Sequence, residues 1–488
     1  MVDVVIVGAG PAGMAAALAV ADEGFDVIVV DEQARAGGQI FRRPPAAFDA
    51  GQPDYAPYRW AAGLIERFEN HPRIFTRFRS TAFGILKETD NPSGETRLAV
   101  ALDTPAGGER VEAKRILLAT GAYDLPVAFP GWTKPGVMMV GAAQSLLKSQ
   151  KVLAGQKIVL TGSHPLLLIA AKQPVDAGAR VQEIALARGI PSVLELAKSL
   201  PAAPGNLSVF GEAIRALATL ARARVKISTR TLVTEASGDT AVASVRLARV
   251  DRGWKPIGTE REIPADLLLV GYGFSPSTEL ARQARCDLEW DAKKGGWIVA
   301  HDERSETNVP GIYVAGEPTG IAGAERSRAG GELAGLHIAE SLGAAGDSLE
   351  TKTAAAARRM AGAERFSRVV QDMFEPQRMA LAELAQPAGT IVCRCELVTS
   401  GEIDEILKAN PFISAANAVK LECRSGMGPC QGRYCGGTVA AQVARAREIS
   451  IEQAGHFTAH LPVKPVTLSR YSALDENAVT PPEGCSPS

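Results

Sequence analysis

The hydrophobic residues follow two kinds of pattern along the chain. The first pattern, continuous apolar runs separated by a glycine-rich turn and a helical segment, appears in its first residues. A continuous apolar run at 4–7 leads into a glycine-rich turn, an alanine-rich segment that ends near Gly24, and a second apolar run at 27–30 that Asp31 follows. Short apolar runs bounded by glycine are typical of buried parallel strands, and the segment between them is long enough for a helix. Residues 3–32 therefore predict a βαβ unit.

The second pattern has the period of a helix and appears after Gly346. The apolar residues of one stretch recur at the i, i+3, i+4, i+7, i+8 spacing of a single helix face, and they are Phe366, Val369, Val370, Met373 and Phe374. Pro376 ends this pattern, which predicts a helical connector over 346–388. Thr399 and Glu402 then form a capping-box pair, which predicts a short helix through Leu407.

Composition and charge narrow the class of protein. The chain has 488 residues, of which 46% are hydrophobic and 22% charged, so it is a folded globular chain rather than a disordered one. At about 150 residues per domain the length predicts about three domains. Lys and Arg number 53 against 54 Asp and Glu, a net charge of -1 that provides no electrostatic footprint for nucleic acid. Small-molecule chemistry is the expectation.

The first βαβ unit carries a dinucleotide fingerprint. Gly8 permits a tight turn, Gly10 lets the backbone approach a pyrophosphate, and Gly13 lets helix and strand pack closely. Asp31 follows Gly8 by 23 residues, at the end of the second strand, where a carboxylate accepts hydrogen bonds from a ribose. The predicted cofactor contacts here are Gly8, Gly10, Pro11, Ala12, Gly13, Asp31, Glu32 and Gln33. An ordinary glycine turn is the alternative.

Two later segments each place a strand end beside a glycine. They read RILLATG at 115–121 and VPGIYVAGE at 309–317, and a GGQ loop lies at 37–39. Together they resemble the FAD domain of the two-dinucleotide-fold flavoproteins, the group that includes glutathione and thioredoxin reductases. The resemblance assigns cofactor contacts to Gly38, Gln39, Thr120, Gly121, Gly316 and Glu317.

The resemblance also gives Glu317 a role toward the ribityl chain, where the group usually has Asp. It further implies that the segment 323–335 starts a helix near the isoalloxazine ring. A loop glycine pair and a surface helix are the alternatives for 37–39 and 323–335.

A second strand–glycine motif, KIVLTG at 157–162, stands where this group inserts its NAD(P)H domain, but its fingerprint is incomplete. Counted from Gly162, the second glycine position is His164 and the third is Leu167. Both side chains would crowd a pyrophosphate. The spacing of 23 residues leads to Ala185 rather than to an acid.

Three further residues complete the description of this second motif. Pro174 is expected to interrupt the following helix, and Arg188 is interpreted as a solvated arginine rather than a partner for a 2′-phosphate. His164 is interpreted as a hydrogen-bonded turn residue rather than a proton shuttle. The sequence therefore predicts a nucleotide fold that has lost nicotinamide binding, with a structurally held adenine nucleotide as an alternative.

The cysteines are concentrated near the C-terminus. Cys393 and Cys395 form a CxC pair, 34 residues separate them from Cys430, and Cys435 follows in a glycine-rich stretch. Four thiolates predict a [2Fe-2S] cluster, with tetrahedral zinc as the alternative. The nearby glycines are expected to let backbone N–H groups approach the sulfurs, and they are Gly426, Gly428, Gly432 and Gly436. Cys423 is interpreted as a buried small apolar residue, with a substitute ligand as the alternative, and Cys286 and Cys485 are interpreted as incidental.

Several motifs together resemble one family along 1–470. GAGPAG, DEQxRxGGQI, CxCE and GMGPCQGRYC are similar to the alpha subunits of heteromeric dye-linked amine dehydrogenases, which include opine oxidases, D-hydroxyproline dehydrogenase, hydrogen cyanide synthase and an L-proline dehydrogenase. The cysteine segment resembles the bacterioferritin-associated ferredoxin domain. The resemblance implies an oxidase-like beta subunit that carries the substrate site and a small ferredoxin-like gamma subunit.

These observations predict an α/β fold, a two-dinucleotide-binding-domain flavoprotein of the glutathione reductase type with a small α-rich [2Fe-2S] domain. The expected segments are a first FAD-binding segment at 1–125, an inserted degenerate nucleotide-binding domain at 126–265, a second FAD-binding segment at 266–345, the connector at 346–388, the [2Fe-2S] domain at 389–445 and a C-terminal tail at 446–488.

The expected function is electron transfer through FAD and the cluster to a non-nicotinamide acceptor, with no catalytic residue identified on this chain. The alternatives are a self-contained NAD(P)H-dependent flavin oxidoreductase and a non-catalytic scaffold. Because Val4–Val7 follows no basic region and no apolar run reaches about 18 residues, we expect a cytoplasmic protein without a transmembrane segment. Contact with the inner membrane through the electron acceptor is the alternative.

Overall fold

The computed structural model describes residues 1–45, 48, 55–88, 97–164, 166–189, 195 and 207–474. The chain divides into two compact units. Unit 1 comprises Met1–Tyr123, Ser275–Asp372 and Ala459–Ser488, and unit 2 comprises Asp124–Phe274 and Met373–Thr458. The predicted insertion lies inside unit 2, and the predicted domain boundaries stay predictions.

The strands within the described residues are, in chain order, β1 Val2–Val7, β2 Val27–Asp31, β3 Ile74–Phe78, β4 Thr81–Glu88, β5 Arg97–Thr104, β6 Gly107–Leu118, β7 Ala122–Asp124, β8 Val137–Met139, β9 Lys157–Gly162, β10 Arg180–Leu186, β11 Lys226–Thr229, β12 Thr231–Ser237, β13 Ser244–Val250, β14 Pro256–Pro264, β15 Leu267–Gly271, β16 Phe274–Pro276, β17 Leu288–Asp291, β18 Gly296–Val299, β19 Ile312–Val314, β20 Ile391–Cys393 and β21 Val398–Thr399.

The α-helices within the same residues are α1 Pro11–Ala21, α2 Ala61–Glu69, α3 Val140–Ser145, α4 Leu166–Asp176, α5 Leu207–Arg222, α6 Glu279–Gln283, α7 Ala324–Ser341, α8 Asp347–Phe374, α9 Arg378–Glu383, α10 Ser400–Ala409, α11 Ala416–Cys423, α12 Gly436–Arg447, α13 Ile451–Ala454 and α14 Leu468–Ser472. A π-helical turn, Leu146–Gln150, continues α3, and a 3-10 turn lies at Glu317–Thr319. None of the described helices is long and apolar enough to cross a membrane.

The main sheet of unit 1 has the strand order β3-β2-β1-β6-β5-β4 in the described residues, with β19 also paired to β6. The strand β6 serves two kinds of pairing. Its first part pairs with β5 in antiparallel fashion, whereas its last residues, including the apolar 116–118, pair in parallel with β1. Continuous apolar residues are typical of strands covered on both faces, and alternating ones of strands with a solvated face. The parallel part of the sheet, β1 with β2 and the end of β6, therefore has the apolar pattern of a buried strand group. The glycine turn at Gly8 directly follows its central strand, β1.

Helices α1 and α7 pack closely in unit 1 because small residues face each other. A Cβ atom on Gly331 would lie 2.1 Å from the Ala12 carbonyl oxygen, and one on Gly335 would lie 2.6 Å from that of Ala16. Only glycine fits at such separations, which are far below van der Waals contact. This packing fixes the first half of α1 against the middle of α7.

Unit 2 contains a parallel sheet of order β11-β10-β9-β15-β8 and an antiparallel sheet of order β12-β13-β14 within the described residues. The βαβ prediction from KIVLTG is confirmed, but the expected interruption at Pro174 is wrong. Helix α4 continues through Pro174 to Asp176. Because Pro174 lies in the last turn, its missing N–H removes one hydrogen bond without ending the helix there.

The C-terminal part of unit 2 is a small helical layer. The predicted capping box is present, since the Thr399 side chain accepts from the Glu402 backbone N–H and the Glu402 side chain accepts in return from Thr399. The predicted amphipathic helix is present as the end of α8, which belongs to unit 1 as far as Asp372 and ends before Pro376. Buried apolar residues from this layer form a common core, and they include Val392, Ile403, Val419, Val439, Val443 and Phe457.

Candidate cofactor sites

The turn after β1 in unit 1 is built on glycine backbone. Gly8 has φ +112°, and a Cβ atom there would lie 2.2 Å from the Ala119 carbonyl oxygen. A Cβ atom on Gly13 would lie 1.7 Å from the Gly8 carbonyl oxygen. Side chains are therefore excluded at both positions, as the fingerprint predicts. A turn of this kind before a helix is the arrangement that binds anions in dinucleotide folds.

The predicted GGQ loop lies against the same turn. The Gly37 backbone N–H donates to the Ala9 carbonyl oxygen at 2.9 Å, and a Cβ atom on Gly38 would lie 2.8 Å from the Gly10 Cα atom. The fold thus brings Gly10 and Gly38 together although 27 residues separate them. Gln39 accepts a hydrogen bond from the Arg42 side chain at 2.9 Å.

Asp31 also reaches back to the turn. Its Oδ2 atom accepts from the Ala9 backbone N–H at 2.7 Å, and its Oδ1 atom accepts from that of Gln33 at 2.7 Å. Burial raises the pKa of Asp31, and these two hydrogen bonds oppose that rise. The neighbouring Glu32 forms an ion pair with Lys464. The acid therefore stands where the motif predicts it.

The other predicted contacts also gather around this turn. Thr120 donates from Oγ1 to the Ser277 carbonyl oxygen at 2.6 Å, and Gly121 has φ +71°. Gly316 lies beside α1, since a Cβ atom there would lie 2.8 Å from the Ala12 Cβ atom.

Glu317 is engaged within its own chain. Its Oε1 atom accepts from the Gly323 backbone N–H at 2.8 Å and from the Ser327 hydroxyl at 3.1 Å. Burial raises the pKa of Glu317. These contacts tie the carboxylate to the start of α7, and its role toward a ribityl chain stays a prediction.

An aromatic cluster beside this site was missed in the sequence analysis. The buried Phe41 ring meets three other rings edge-to-face, and they belong to Tyr55, Tyr58 and Trp60. Trp60 donates from Nε1 to Glu325 at 2.5 Å, and Arg328 lies 4.5 Å from the Trp60 ring centroid. Burial raises the pKa of Tyr58 to about 12. The aromatic-rich stretch YAPYRW at 55–60 is the sequence feature that could have indicated it.

The corresponding turn of unit 2 is occupied by side chains. Gly162 still needs to be glycine, because a Cβ atom there would lie 2.0 Å from the Gly271 carbonyl oxygen. Leu167 is 2% exposed and packs into the core at the third glycine position. His164 accepts at Nδ1 from the Leu166 backbone N–H at 3.3 Å, and burial lowers its pKa to about 4. The interpretation of His164 as a hydrogen-bonded turn residue is confirmed.

Phe374, the last residue of α8, fills the space beside this turn. Its ring lies 5.9 Å from the His164 ring, and the Arg188 guanidinium lies 5.3 Å from its centroid. Arg188 also forms an ion pair with Glu195, so it is not simply a solvated residue as interpreted from the sequence. Side chains of unit 2 therefore occupy the edge where a Rossmann fold receives its nucleotide.

The assignment of Ala185 as the counterpart of Asp31 is wrong by one residue. In unit 1, Val7 pairs with Val30, so the next residues of the two segments are Gly8 and Asp31. The counterpart of Asp31 in unit 2 is therefore the residue at the level of Gly162. In unit 2 the register shifts by one residue between Val181 and Glu183, and Gly162 pairs with Leu186. The irregularity adds one residue to the spacing. The acid is still missing, because Leu186 is apolar.

The four predicted cluster ligands lie together in unit 2 as two interacting pairs. The Cys393 thiol hydrogen-bonds with Cys435, and the Cys395 thiol with Cys430. Cys393 and Cys435 are buried, whereas Cys395 and Cys430 are half-buried. The contact with Cys435 and a backbone N–H from Gly426 at 3.5 Å lower the pKa of Cys393 to about 5. Within the described residues, no group of three or more His, Cys, Asp or Glu side chains is arranged to hold a metal ion.

The other cysteines lie outside these pairs. Cys423 donates from its thiol to the Val419 carbonyl oxygen at 3.3 Å, as expected for a residue that only packs. Cys286 is buried in unit 1 near Thr307. Cys485 lies outside the described residues.

The glycines around the thiols serve two purposes, not one. A Cβ atom on Gly428 would lie 2.4 Å from the Cys395 Cβ atom, so close approach to a cysteine requires glycine there. Cβ atoms on Gly426 and Gly432 would instead lie 2.4 and 2.3 Å from the Phe457 ring. The expectation that these glycines only expose N–H groups to sulfur is therefore incomplete, since two of them accommodate a buried ring.

Comparison with known proteins identifies the class. The chain matches the family described as pyridine nucleotide-disulphide oxidoreductase over residues 2–351, and it belongs to this family of flavin-dependent oxidoreductases. The family implies FAD. The predicted α/β flavoprotein fold of the two-dinucleotide-domain type and the prediction of an oxidoreductase are confirmed, whereas the small [2Fe-2S] domain stays a prediction.

Particular relatives cover nearly the whole chain. It is 34% identical over 483 residues to an opine oxidase subunit of Agrobacterium tumefaciens (strain Ach5), covering 98% of this chain and 92% of the relative. It is 32% identical over 491 residues to hydrogen cyanide synthase subunit HcnB of Pseudomonas aeruginosa, covering 97% and 99%. These relatives are named as subunits, which implies partner chains.

A solved structure shares the fold. The L-proline dehydrogenase from P. horikoshii superposes with a TM-score of 0.66 at 19% identity, covering 96% of this chain and 79% of that one. This coverage extends through both units of the chain.

Proposed function

We propose that this chain is the electron-transfer subunit of a heteromeric dehydrogenase that oxidises an opine or a (D-)amino or imino acid. The relatives named as subunits of opine oxidase and of hydrogen cyanide synthase support this proposal. The substrate site lies on an oxidase-like beta subunit, and a small ferredoxin-like gamma subunit completes the complex. We assign no catalytic residue to this chain.

The turn of unit 1 is the site for FAD. The backbone of Gly8, Gly10 and Gly13 would face the pyrophosphate, and Asp31 would bind the ribose of the adenosine. Gly38 and Gly316 pack closely against Gly10 and Ala12 of the same turn, where a Cβ atom would clash. When bound, FAD would supply the conversion of two-electron to one-electron transfer, and a [2Fe-2S] cluster would supply a one-electron carrier.

The paired thiols are the observation that carries the proposal. Cys393 and Cys395 come from the β20–β21 hairpin, Cys430 and Cys435 come from the segment before α12, and the thiols pair across these two segments. Thiolates are the ligands that hold both iron–sulfur clusters and structural zinc. The N–H of Gly426 toward Cys393 would stabilise a thiolate ligand. Four thiol donors that lie as two pairs supply the type of ligand that a ferredoxin-like [2Fe-2S] site needs.

The electron acceptor is not a nicotinamide nucleotide. Leu167 and His164 stand at the two glycine positions of the second turn, and Phe374 lies beside them. A pyrophosphate would meet side chains there rather than open backbone. These residues favour electron transfer to a quinone or another non-nicotinamide acceptor over the reductase alternative.

Iron analysis and EPR spectroscopy after dithionite reduction test the proposal on anaerobically purified chain. We expect FAD, iron and a [2Fe-2S] signal. Cys395→Ser should abolish the signal and retain FAD, because the two sites lie in different units. Cys423→Ser is the matched control in the same segment, and it should retain the signal. Stoichiometric zinc without iron would contradict the cluster assignment.

Activity of the reconstituted complex separates the proposal from a scaffold role. The isolated chain should not dehydrogenate opines, proline or hydroxyproline, and coexpression with the oxidase-like partner should restore turnover. In that complex Cys395→Ser should abolish reduction of the acceptor while the partner's flavin is still reduced by substrate. Unchanged acceptor reduction in the variant would favour a scaffold.

A further inference from the structure

A short segment at 320–323 links the 3-10 turn Glu317–Thr319 to α7 in unit 1, and it forms neither helix nor strand. Its backbone groups therefore need partners from outside the segment, because a buried N–H or C=O without a hydrogen bond is costly. Gly320 and Gly323 have φ values of +127° and +86°, which lets the backbone change direction at both ends of the segment. The partners of this segment decide where its N–H groups point.

Helix α8 supplies two of these partners. Ser367 donates from Oγ to the Ala322 carbonyl oxygen at 2.7 Å, and Gln371 donates from Nε2 to the Ile321 carbonyl oxygen at 2.6 Å. The Ser367 hydroxyl lies closer to Ala322 than to the Ala363 carbonyl oxygen of its own helix, which is 3.1 Å away. Ser367 is 2% exposed, so its hydroxyl is shielded from water. The two donors are one helical turn apart and face the segment together.

The two peptide groups that accept from α8 also donate to Glu317. The Gly323 N–H belongs to the same peptide group as the Ala322 carbonyl, and it donates to Glu317 Oε1 at 2.8 Å. The Ala322 N–H belongs to the peptide group of the Ile321 carbonyl, and it lies 3.4 Å from the same oxygen. A carbonyl that accepts a hydrogen bond polarises its peptide group and strengthens the bond that the N–H donates. Two chains of hydrogen bonds therefore run from α8 to one carboxylate oxygen.

A third α8 residue holds the backbone on the other side of this acid. Arg326 of α7 is buried, donates from Nη1 at 3.2 Å to the carbonyl oxygen of the residue before Glu317, and pairs through Nε with Glu364 of α8 at 3.2 Å. Glu364, Ser367 and Gln371 recur every three or four positions, as residues on one face of a helix do. Their contacts all lead to the backbone around Glu317.

We propose that Ser367 and Gln371 are positioning residues for the flavin, which orient Glu317 through the two peptide groups between them. This inference rests on the proposed FAD site and deepens it, since Glu317 is the acid predicted to accept from the ribityl chain. A carboxylate that is already oriented binds a hydroxyl with less loss of conformational freedom. Both residues lie beyond 351, where the match to the family ends, so this device is an addition to the fold that the family shares.

A double-mutant cycle on FAD binding tests whether these residues act through Glu317. The Kd for FAD is measured by fluorescence titration of the full-length chain freed of flavin. Ser367→Ala should raise this Kd about three- to tenfold when Glu317 is present, as expected for the loss of one hydrogen bond. In the Glu317→Ala background the same change should raise Kd less than about 1.5-fold. An equal rise in both backgrounds would overturn the inference, because a purely structural effect is independent of the acid.

A second variant and a control on the same helix keep the test decisive. Gln371→Met removes the amide and keeps the length of the side chain, so it should fold and raise Kd as Ser367→Ala does. Thr351→Ala is the matched control, since the Thr351 hydroxyl donates to the Asp347 carbonyl oxygen within α8 at 2.8 Å. It should leave Kd unchanged. A rise in Kd for Thr351→Ala equal to that of the other two variants would also overturn the inference.

The pH profile of FAD binding gives a readout that does not need the Glu317→Ala background. Burial raises the pKa of Glu317, and the backbone N–H bonds to its carboxylate oppose that rise. Loosening these bonds should raise the pKa further, so FAD affinity should fall at a higher pH in Ser367→Ala and Gln371→Met. The charged and titratable groups near the carboxylate include Arg326, Glu364 and Tyr58, and the variants leave them unchanged. A pH profile identical to that of wild type in both variants would contradict the proposal.

The wild-type chain distinguishes the two levels of failure. If it neither carries nor rebinds FAD, the FAD site and the proposed function are refuted. If it binds FAD, and the α8 variants bind FAD with the Kd and the pH profile of wild type, only this inference is refuted.

Discussion

The chain contains the same strand–turn–helix–strand unit twice, once in each compact unit, and the two copies differ in what lies at the turn. In unit 1 the turn consists of backbone, with Gly8 and Gly13 in contacts that exclude side chains. In unit 2 the corresponding positions beyond Gly162 carry His164 and a buried Leu167. A fold can therefore keep the architecture of a nucleotide site after losing the open space that binds the nucleotide.

The acid after the second strand differs in the same way. Asp31 accepts two backbone hydrogen bonds that hold its carboxylate at the turn, whereas Leu186 at the matching register has no polar group to offer. Ring and guanidinium contacts among Phe374, His164 and Arg188 further fill the second copy. The difference lies in a few side chains and a one-residue register shift, while the two strands pair in parallel in both copies.

The largest effect is expected from adding a methyl group to the first turn. Gly13→Ala would put a Cβ atom 1.7 Å from the Gly8 carbonyl oxygen, so helix and strand must separate. Such overpacking costs about 1–3 kcal/mol or more of stability, and we expect the flavin content to fall at least roughly tenfold. Flavin absorbance per chain and Tm measure both effects.

The matched control is Gly63→Ala in α2, where a Cβ atom would meet nothing within 4 Å. It should retain the wild-type flavin content and Tm. A Gly13→Ala protein that keeps its full flavin complement would show that the close turn of unit 1 is not what distinguishes it from unit 2.

Much of this contrast could be predicted from the sequence, because glycine positions and apolar runs are local signals. The first turn and the capping box at Thr399 follow from short spacings. The shift from Ala185 to Leu186 could not be predicted, since a one-residue irregularity in a strand leaves no clear trace in composition. The placement of Phe374 depends on tertiary packing between distant segments of the chain. The continuation of α4 past Pro174 depends on the position of the proline in the last turn of the helix.

Asp31→Ala should have the next largest effect. It removes the carboxylate that accepts from Ala9 and Gln33 and that would bind the ribose. Loss of charged hydrogen bonds costs about 1.5–3 kcal/mol, which corresponds to a roughly ten- to hundredfold higher Kd for FAD. Titration of the apoprotein with FAD measures this change. Leu186→Ala in unit 2 is the counterpart, and it should leave FAD affinity unchanged if the two copies have separate roles.

A smaller, pH-dependent effect is expected from Asp124 in unit 2. Burial raises the pKa of Asp124 from 3.8 to about 6, although its Oδ2 atom accepts from the Gly141 N–H at 3.1 Å. Because the folded-state pKa is raised, the stabilising contribution of the protonated group is complete below the unfolded pKa and is lost as pH rises through about 6.

Asp124→Asn keeps a hydrogen-bond acceptor and removes the titration. Relative to wild type, the free energy of unfolding of the variant should rise by about 1–3 kcal/mol as the pH increases from roughly 4 to roughly 7. At higher pH this difference should stay constant. Urea unfolding at several pH values measures the difference. Asp239→Asn, at an exposed position, provides the reference. A constant difference across the whole pH range would contradict the burial effect.

The smallest effect is expected from restoring a single glycine in the second turn. His164→Gly recreates the second glycine position, yet Leu167 and Phe374 still fill the site and Leu186 still replaces the acid. We therefore expect no reduction of the bound flavin by NADH or NADPH at millimolar concentration. Phe374→Ala should give the same result, since the turn remains blocked. Rapid reduction in either variant would show that one side chain had closed an otherwise competent site.

The central claim is that unit 1 holds the working dinucleotide and unit 2 admits no nicotinamide. Anaerobic stopped-flow mixing of the wild-type holoprotein with NADH or NADPH, monitored by flavin absorbance, tests it most directly. The flavin should stay oxidised on the timescale of turnover even at millimolar nicotinamide, while dithionite reduces it fully. Bleaching of the flavin within the turnover time at micromolar NADH or NADPH would contradict the claim and support a self-contained reductase.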